Sequence, residues 1–346
     1  MRRFARLAWK YGFPVLVAAA VGWYFYDKLR QPALWAGGFQ FRYEWLLPAA
    51  IVYLIAYAVW GRYFVTLLRN QGATVSTATG MRSYFISQTG KYVPGKVLVI
   101  VIRIAMLGNI GISRTAVGIV AAFESIVWAG SGALVGIVLL PVELWDGLRQ
   151  ELRQRGGDLP DFHRYWLILP MVIAPIGLVG LNRFVNRINR WRHGPDARQL
   201  PRVKLHMVVF GLAWDSLGWL IIGLSLLFTM HGLLPGVKPL EANDALDLIS
   251  IASIAYVMGF VAFFMPAGVG VRDVALQLLL AVQMRAHIGP SVAAAQIDGL
   301  AAIIAIVFRL LGTLSELIVA GIMFRYAPSA AKAALHRDAA PIKEEV

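Results

Sequence analysis

Ten charged side chains lie inside apolar segments of this 346-residue chain: Lys91, Lys96, Arg103, Arg272 and Arg309, with Glu124, Asp215, Asp273, Asp298 and Glu316. A charge at the centre of a membrane span costs about 2.5–3.5 kcal/mol on insertion scales, so each marks either a function or a buried partner. Five basic residues against five acidic ones is the balance that a set of internal ion pairs gives. Lys91, Lys96, Arg272 and Asp273 flank two helix-breaking runs, KYVPGK (residues 91–96) and MPAGVGVRD (residues 265–273). At broken helices, freed backbone donors and basic side chains can converge on an anion, and Arg309 adds a cation in mid-segment. A cluster of cations inside a bilayer suits the phosphate of a lipid headgroup above other ligands.

The remaining charges have plainer uses. Glu124, beside Ser125, either bonds a neighbouring helix or holds a coupling proton or ion. Asp298 is the second candidate for that proton, although its place seven residues after Ser291 also lets water reach it. Asp215 sits near Gly211, where it can cap a break. Arg103 and Glu316 lie close to segment ends and are expected to snorkel to the interface.

Other chemistries are poorly served. The chain has no cysteine, which excludes disulfides, thiolate metal sites and cysteine nucleophiles. Its six histidines are scattered through loops and segment ends without metal-ligand spacing. GVGVRD follows no strand, so it is a poor dinucleotide loop, and neither a P-loop nor a Gly-x-Ser-x-Gly elbow is present. The expectation is no enzyme activity, no cofactor and no metal.

Composition fixes what must position these residues. The chain is 58% hydrophobic and 15% charged, where soluble domains run about 45–50% and about 25%. It is an all-α membrane protein by this measure, and its net charge of +14 is loop arginine and lysine that sets topology rather than a nucleic-acid patch. No nucleic-acid partner is expected. Six segments have the roughly 20 apolar residues a span requires: 11–26, 45–66, 115–140, 165–181, 205–230 and 291–324. The first follows a basic start without a small-residue cleavage site and reads as a retained signal anchor within residues 1–44.

Two further apolar segments, 83–106 and 250–282, contain the broken runs. Proline removes a backbone donor and glycine frees the dihedrals, so each helix should stop in mid-segment. The freed backbone must be buried in protein or line a wet cavity. The loop at 182–204 carries seven basic residues and one acid and belongs in the cytoplasm, whereas the loops at 141–164 and 231–247 are mixed or acidic and belong outside. Every loop falls on its expected side only if both broken segments are re-entrant hairpins, the first entering from the cytoplasm and the second from outside. Both termini are then cytoplasmic. Span, hairpin, span thus occurs twice, at about 45–140 and 205–324, with inverted orientation, and such repeats place a substrate site at their interruptions.

Gly90-Lys91-Tyr92-Val93-Pro94-Gly95-Lys96, Pro266-Ala267-Gly268-Val269-Gly270-Val271-Arg272-Asp273 and Arg309-Leu310-Leu311 resemble the signature segments of the lysylphosphatidylglycerol synthase transmembrane family. That family includes the flippase-like domain of the multiple peptide resistance factor. The resemblance runs over most of the chain, about 45–326. It implies translocation of a lipid between leaflets, with Lys91, Tyr92, Pro94, Gly95 and Lys96 shaping one half-site. Pro266, Gly268, Gly270, Arg272 and Asp273 would shape the other, with Arg309 beside them. Asp273 stands where the family commonly has glutamate, and Ser125 follows Glu124 where arginine is usual. Twenty residues follow Tyr326, so the fused synthase half and its aminoacylation are not expected, and residues 327–346 read as a cytoplasmic tail.

The expected molecule is a bacterial inner-membrane flippase of about six full spans and two re-entrant hairpins, moving an anionic or isoprenoid-type lipid. Its partners would be that lipid, with a lipid-biosynthesis enzyme or a second copy as further candidates. The alternatives are an accessory subunit of a lipid or envelope biosynthesis system and, less favoured, an intramembrane lipid-modifying transferase.

Overall fold

The computed structural model describes residues 41–92, 97–154, 204–234, 242–262, 265–288 and 294–326, with Trp23, Tyr26, Arg30 and scattered positions between 173 and 194. Apart from those isolated positions, the expected spans at 11–26 and 165–181, the basic loop at 182–204 and the tail at 327–346 lie outside the described residues. Pro94, Gly95 and Lys96 do as well.

The first half holds α1 (Tyr43–Asn70), α2 (Thr77–Gln88), a 3₁₀ turn (Thr89–Tyr92), α3 (Val97–Gly108) and α4 (Arg114–Val138). After α5 (Val142–Gln154), the second half holds α6 (Leu205–Leu233), α7 (Ala242–Val261), a 3₁₀ turn (Pro266–Gly268), α8 (Val271–Ile288) and α9 (Ala294–Arg325). Among the described residues there is no strand, and five helices are long and apolar enough to cross a membrane: α1, α4, α6, the Asp244–Val261 part of α7, and α9. The chain is a multi-pass membrane protein. Ser76 and Ser113 start α2 and α4 as N-caps, accepting from the amides of Thr79 and Ala116.

The second Pro/Gly run ends its helix as expected, and around the first, whose residues 93–96 lie outside the described ones, α2 stops at Gln88 and α3 starts at Val97. In the first hairpin the two 12-residue arms, α2 and α3, are each about 18 Å long at 1.5 Å per residue, which is too short for a hydrocarbon core of about 30 Å. The second hairpin differs from the first. Its arms have 20 and 18 residues, about 30 and 27 Å, and they extend beyond 250–282 at both ends. At its turn Ala267 (φ 49°), Gly268 (φ 68°) and Gly270 (φ 87°) are left-handed. Alanine there is strained, and a Cβ on Gly268 would stand 2.9 Å from the backbone of Gly259 on α7, so only glycine lets the turn fold back this closely.

Packing repeats in the same order. The neighbours α1–α2, α2–α3 and α3–α4 have their counterparts in α6–α7, α7–α8 and α8–α9. Across the halves α9 packs on α1 and α2 as α4 packs on α6 and α7, and the two 3₁₀ turns touch each other. The first helices of the halves, α1 and α6, are antiparallel. Side chains bridge them in opposite order along the two chains: Ser225 Oγ donates to Ala49 O (2.7 Å), Trp60 Nε1 to Asp215 O (3.1 Å) and Tyr63 OH to Met207 O (2.8 Å).

Two local readings change. The segment 141–164 is not all loop, because α5 forms within it and buries Leu144 and Trp145 while packing on α8. Helix α6 runs unbroken through Gly211, so Asp215 caps nothing there.

Candidate functional site

The turns of both hairpins meet in the centre of the packing, and a cavity of about 500 Å³ opens beside them. Lys91, Val99 and Arg103 of the first hairpin line it, as do Gly259, Ala267 and Arg272 of the second. Helix α4 contributes Glu124, Ser125 and Trp128, while α1 contributes Tyr57 and Trp60. Of the residues expected from sequence, the structure brings Lys91, Arg272 and Glu124 to this wall.

Each cation on the wall is held by an acid, and two of those acids stand behind the wall. Lys91 Nζ lies 2.6 Å from the Glu316 carboxylate on α9 and donates to Tyr57 OH at 2.9 Å. Glu316 also accepts from Tyr53 OH (2.6 Å) and Tyr92 OH (3.2 Å). Arg272 lies 3.4 Å from Asp273 and stacks its guanidinium over the Tyr256 ring at 4.6 Å. Asp273 receives Arg309 at 2.5 Å and the Gly270 amide at 3.1 Å. It is the third residue of α8 and reaches back to accept from the amide of the residue before the helix, the N3 half of a capping box, since Gly270 has no side chain to return the bond. Tyr92, Asp273 and Arg309 therefore support the wall rather than form it, and Gly268, Gly270 and Pro266 shape the turn.

Arg103 and Glu316 do not snorkel. Arg103 is 1% exposed and Glu316 2%. Arg103 bridges to Glu124 at 2.8 Å, donates to Ser87 Oγ at 2.9 Å and stacks over Phe64 and Tyr84. The apolar stretch containing Arg103 ends in sequence, but α3 is one arm of a hairpin packed against α2 and α4, so its end is not an exit to water. Glu316 is nine residues short of the end of the 32-residue α9, within the packed part of that helix. Asp298 lies elsewhere, 2.5 Å from Arg285 on α8.

The aromatic wall is a part of the site that the motifs above do not include. Its signal was present: Tyr53, Tyr57 and Trp60 recur at three and four residues on one face of α1. Tyr53 and Tyr57 stack at 5.0 Å between ring centres, and Trp60, Trp128 and Trp219 pack mutually at 4.7–5.5 Å. This arrangement suits a polar, anionic group entering beside flat apolar faces. A second groove of about 530 Å³ runs along α1 and α9, and its lining is apolar except for Ser315.

The family model for the lysylphosphatidylglycerol synthase TM region matches residues 13–320 of the chain, which take in every element above but the last five residues of α9. No curated protein matches it.

Proposed function

The chain belongs to the lysylphosphatidylglycerol synthase TM family, and from that membership we propose that it carries an anionic lipid headgroup through the cavity between its two broken hairpins. The observation that supports this most is the sign and placement of charge. Lys91, Arg103 and Arg272 face the cavity, while Glu316 and Asp273, the acids that hold two of them, stand behind it. A phosphate entering the cavity competes for cations that are already desolvated and oriented, and charge-assisted contacts of this kind are the strong ones. The lipid tails remain in the bilayer, with the apolar groove between α1 and α9 as one surface they can follow. The protein would work as a transporter rather than an enzyme, in the bacterial inner membrane with both termini cytoplasmic. Access would alternate as one half rocks against the other, which the matched packing of the halves allows.

The test is leaflet exchange in vesicles. Purified protein is reconstituted with fluorescent phosphatidylglycerol, fluorescent phosphatidylcholine or a labelled polyprenyl phosphate, and outer-leaflet label is quenched chemically. The expected result is exchange of the anionic lipids above the empty-vesicle rate. Loss of one charge-assisted contact is worth about 1.5–3 kcal/mol, so Arg272→Ala and Lys91→Ala should slow exchange about tenfold or more. Exchange at the empty-vesicle rate by wild type and variants alike overturns the reading. Single cysteines in this cysteine-free chain test the threading. Gly95→Cys should label from the cytoplasmic face and Ala267→Cys from the outer one, and labelling of both from one side excludes inverted hairpins.

A further inference from the structure

Asp215 is a buried acid in the packed helices that the site above leaves without a use. It is the eleventh residue of α6 and is 0% exposed. Neither of its carboxylate oxygens has a hydrogen-bond partner among the described residues. The donors around it are spent elsewhere. Trp60 Nε1 takes the Asp215 carbonyl rather than its side chain, Trp214 Nε1 takes Val59 O, and Ser216 Oγ takes Leu212 O. Tyr63 OH takes Met207 O, and Trp219 Nε1 takes Ser131 Oγ. An ionised carboxylate with no partner in an apolar interior is among the most costly arrangements a protein can hold, and such groups go neutral instead.

The groups facing Asp215 agree with this. Helix α1, packed on α6, presents Tyr63, and α4, also packed on α6, presents Glu124. Tyr256 of α7 lies against Trp219, one turn further along α6, and Glu316 of α9 is already held by Lys91, Tyr53 and Tyr92. The guanidinium nearest Glu124, that of Arg103, is committed to Glu124 itself.

We propose that Asp215 is an intramembrane proton-binding site that fills together with an anion in the cavity. The link is Glu124, which lines the cavity and sits on α4, the helix packed against the Asp215-bearing α6. When an entering phosphate draws Arg103 toward itself, the Glu124 charge is less compensated, and negative charge on Asp215 becomes harder to hold. Anion and proton therefore bind cooperatively, and by linkage each strengthens the other. The coupling rests on the transport reading above, whereas the proton site does not.

Infrared spectroscopy of the full chain in ester-free detergent micelles at neutral pH tests the site. The wild-type minus Asp215→Asn difference should contain the carbonyl stretch of a protonated carboxylic acid, and Asp215→Glu should shift that band rather than remove it. A carboxylate band in its place overturns the proposal. Should Asp215→Asn fail to fold, the Asp215→Glu shift alone decides. In vesicles with labelled phosphatidylglycerol, a pH gradient that is acid on the lipid's side should raise wild-type exchange severalfold. The ratio with and without the gradient should fall to one in Asp215→Asn, and an equal ratio in both proteins overturns the coupling. If wild type moves no lipid at all, the transport reading falls and the infrared result still decides whether Asp215 binds a proton.

Discussion

Glu124 and Asp215 occupy the same place in their helices and have opposite surroundings. Each is the eleventh residue of a long apolar helix, and each is almost wholly buried, at 3% and 0% exposure. Glu124 meets a guanidinium because α3, a hairpin arm, folds back against α4 and carries Arg103 with it. Asp215 faces α1, which offers tryptophan and tyrosine donors already bonded to backbone carbonyls. Burial is common to both, so it cannot explain the difference in chemistry. What differs is whether a neighbouring element delivers a counter-charge, and that sets whether the acid is a structural anion or a group free to take a proton.

The largest effect should come from removing charge at the paired acid. Glu124→Gln leaves Arg103 as a buried guanidinium without its carboxylate, and breaking a buried pair from one side costs about 3–5 kcal/mol. It should appear as a marked fall in the unfolding midpoint in detergent micelles, followed by tryptophan fluorescence. The double variant Arg103→Met/Glu124→Leu should recover most of the loss, because replacing both ions by apolar groups is often neutral. A single variant as stable as wild type would mean that the bridge contributes nothing, and the comparison with Asp215 would lose its ground.

Asp273→Asn should fall between the extremes. The amide oxygen can still accept from the Gly270 amide, so the cap on α8 survives, but Arg272 and Arg309 lose their shared anion. Hydrogen bonds to charged groups are worth about 1.5–3 kcal/mol. The loss should lie in that range or below it, because the Arg309 side chain is 19% exposed and water can replace part of what it loses. Combining Asp273→Asn with Arg309→Gln should cost less than the two separately, as residues that share one network do.

These pairings show which features a sequence carries and which only a packed structure supplies. The two helix breaks were legible because Pro/Gly chemistry is local: KYVPGK and MPAGVGVRD interrupt a helix whatever surrounds them. The spans at 45–66, 115–140, 205–230 and 291–324 were legible from apolar length, and Lys91 and Arg272 were marked by lying next to those breaks. The fate of Arg103 and Glu316 was not, because position along the chain gives only the distance to a segment end. Depth in a hairpin that folds back among other helices does not follow position. Partner choice was hidden for the same reason. Lys91 meets Glu316 across 225 residues, and no local spacing specifies that. The arms of the second hairpin were placed too short because apolar pattern fades at Ala242–Asp247 and Gln283–Ile288, where tertiary pairing takes over: Gln283 donates to Asp247 at 2.5 Å.

Asp215→Asn should have the smallest effect on stability, and it is the most discriminating of the three. The substitution is chemically the same as at Glu124, an acid replaced by its amide in the middle of a long apolar helix. If Asp215 already carries a proton, the carboxamide is close to isosteric with what it replaces, no counter-charge is stranded, and the unfolding midpoint should stay within about 1 kcal/mol of wild type. If Asp215 is instead an anion with a partner, the change must strand a cation and cost as much as Glu124→Gln. The order Glu124→Gln, Asp273→Asn, Asp215→Asn is thus a ranking by the number and exposure of counter-charges, not by burial. A loss at Asp215 equal to that at Glu124 would overturn the ranking, because burial alone would then set the cost and the two acids would have the same chemistry.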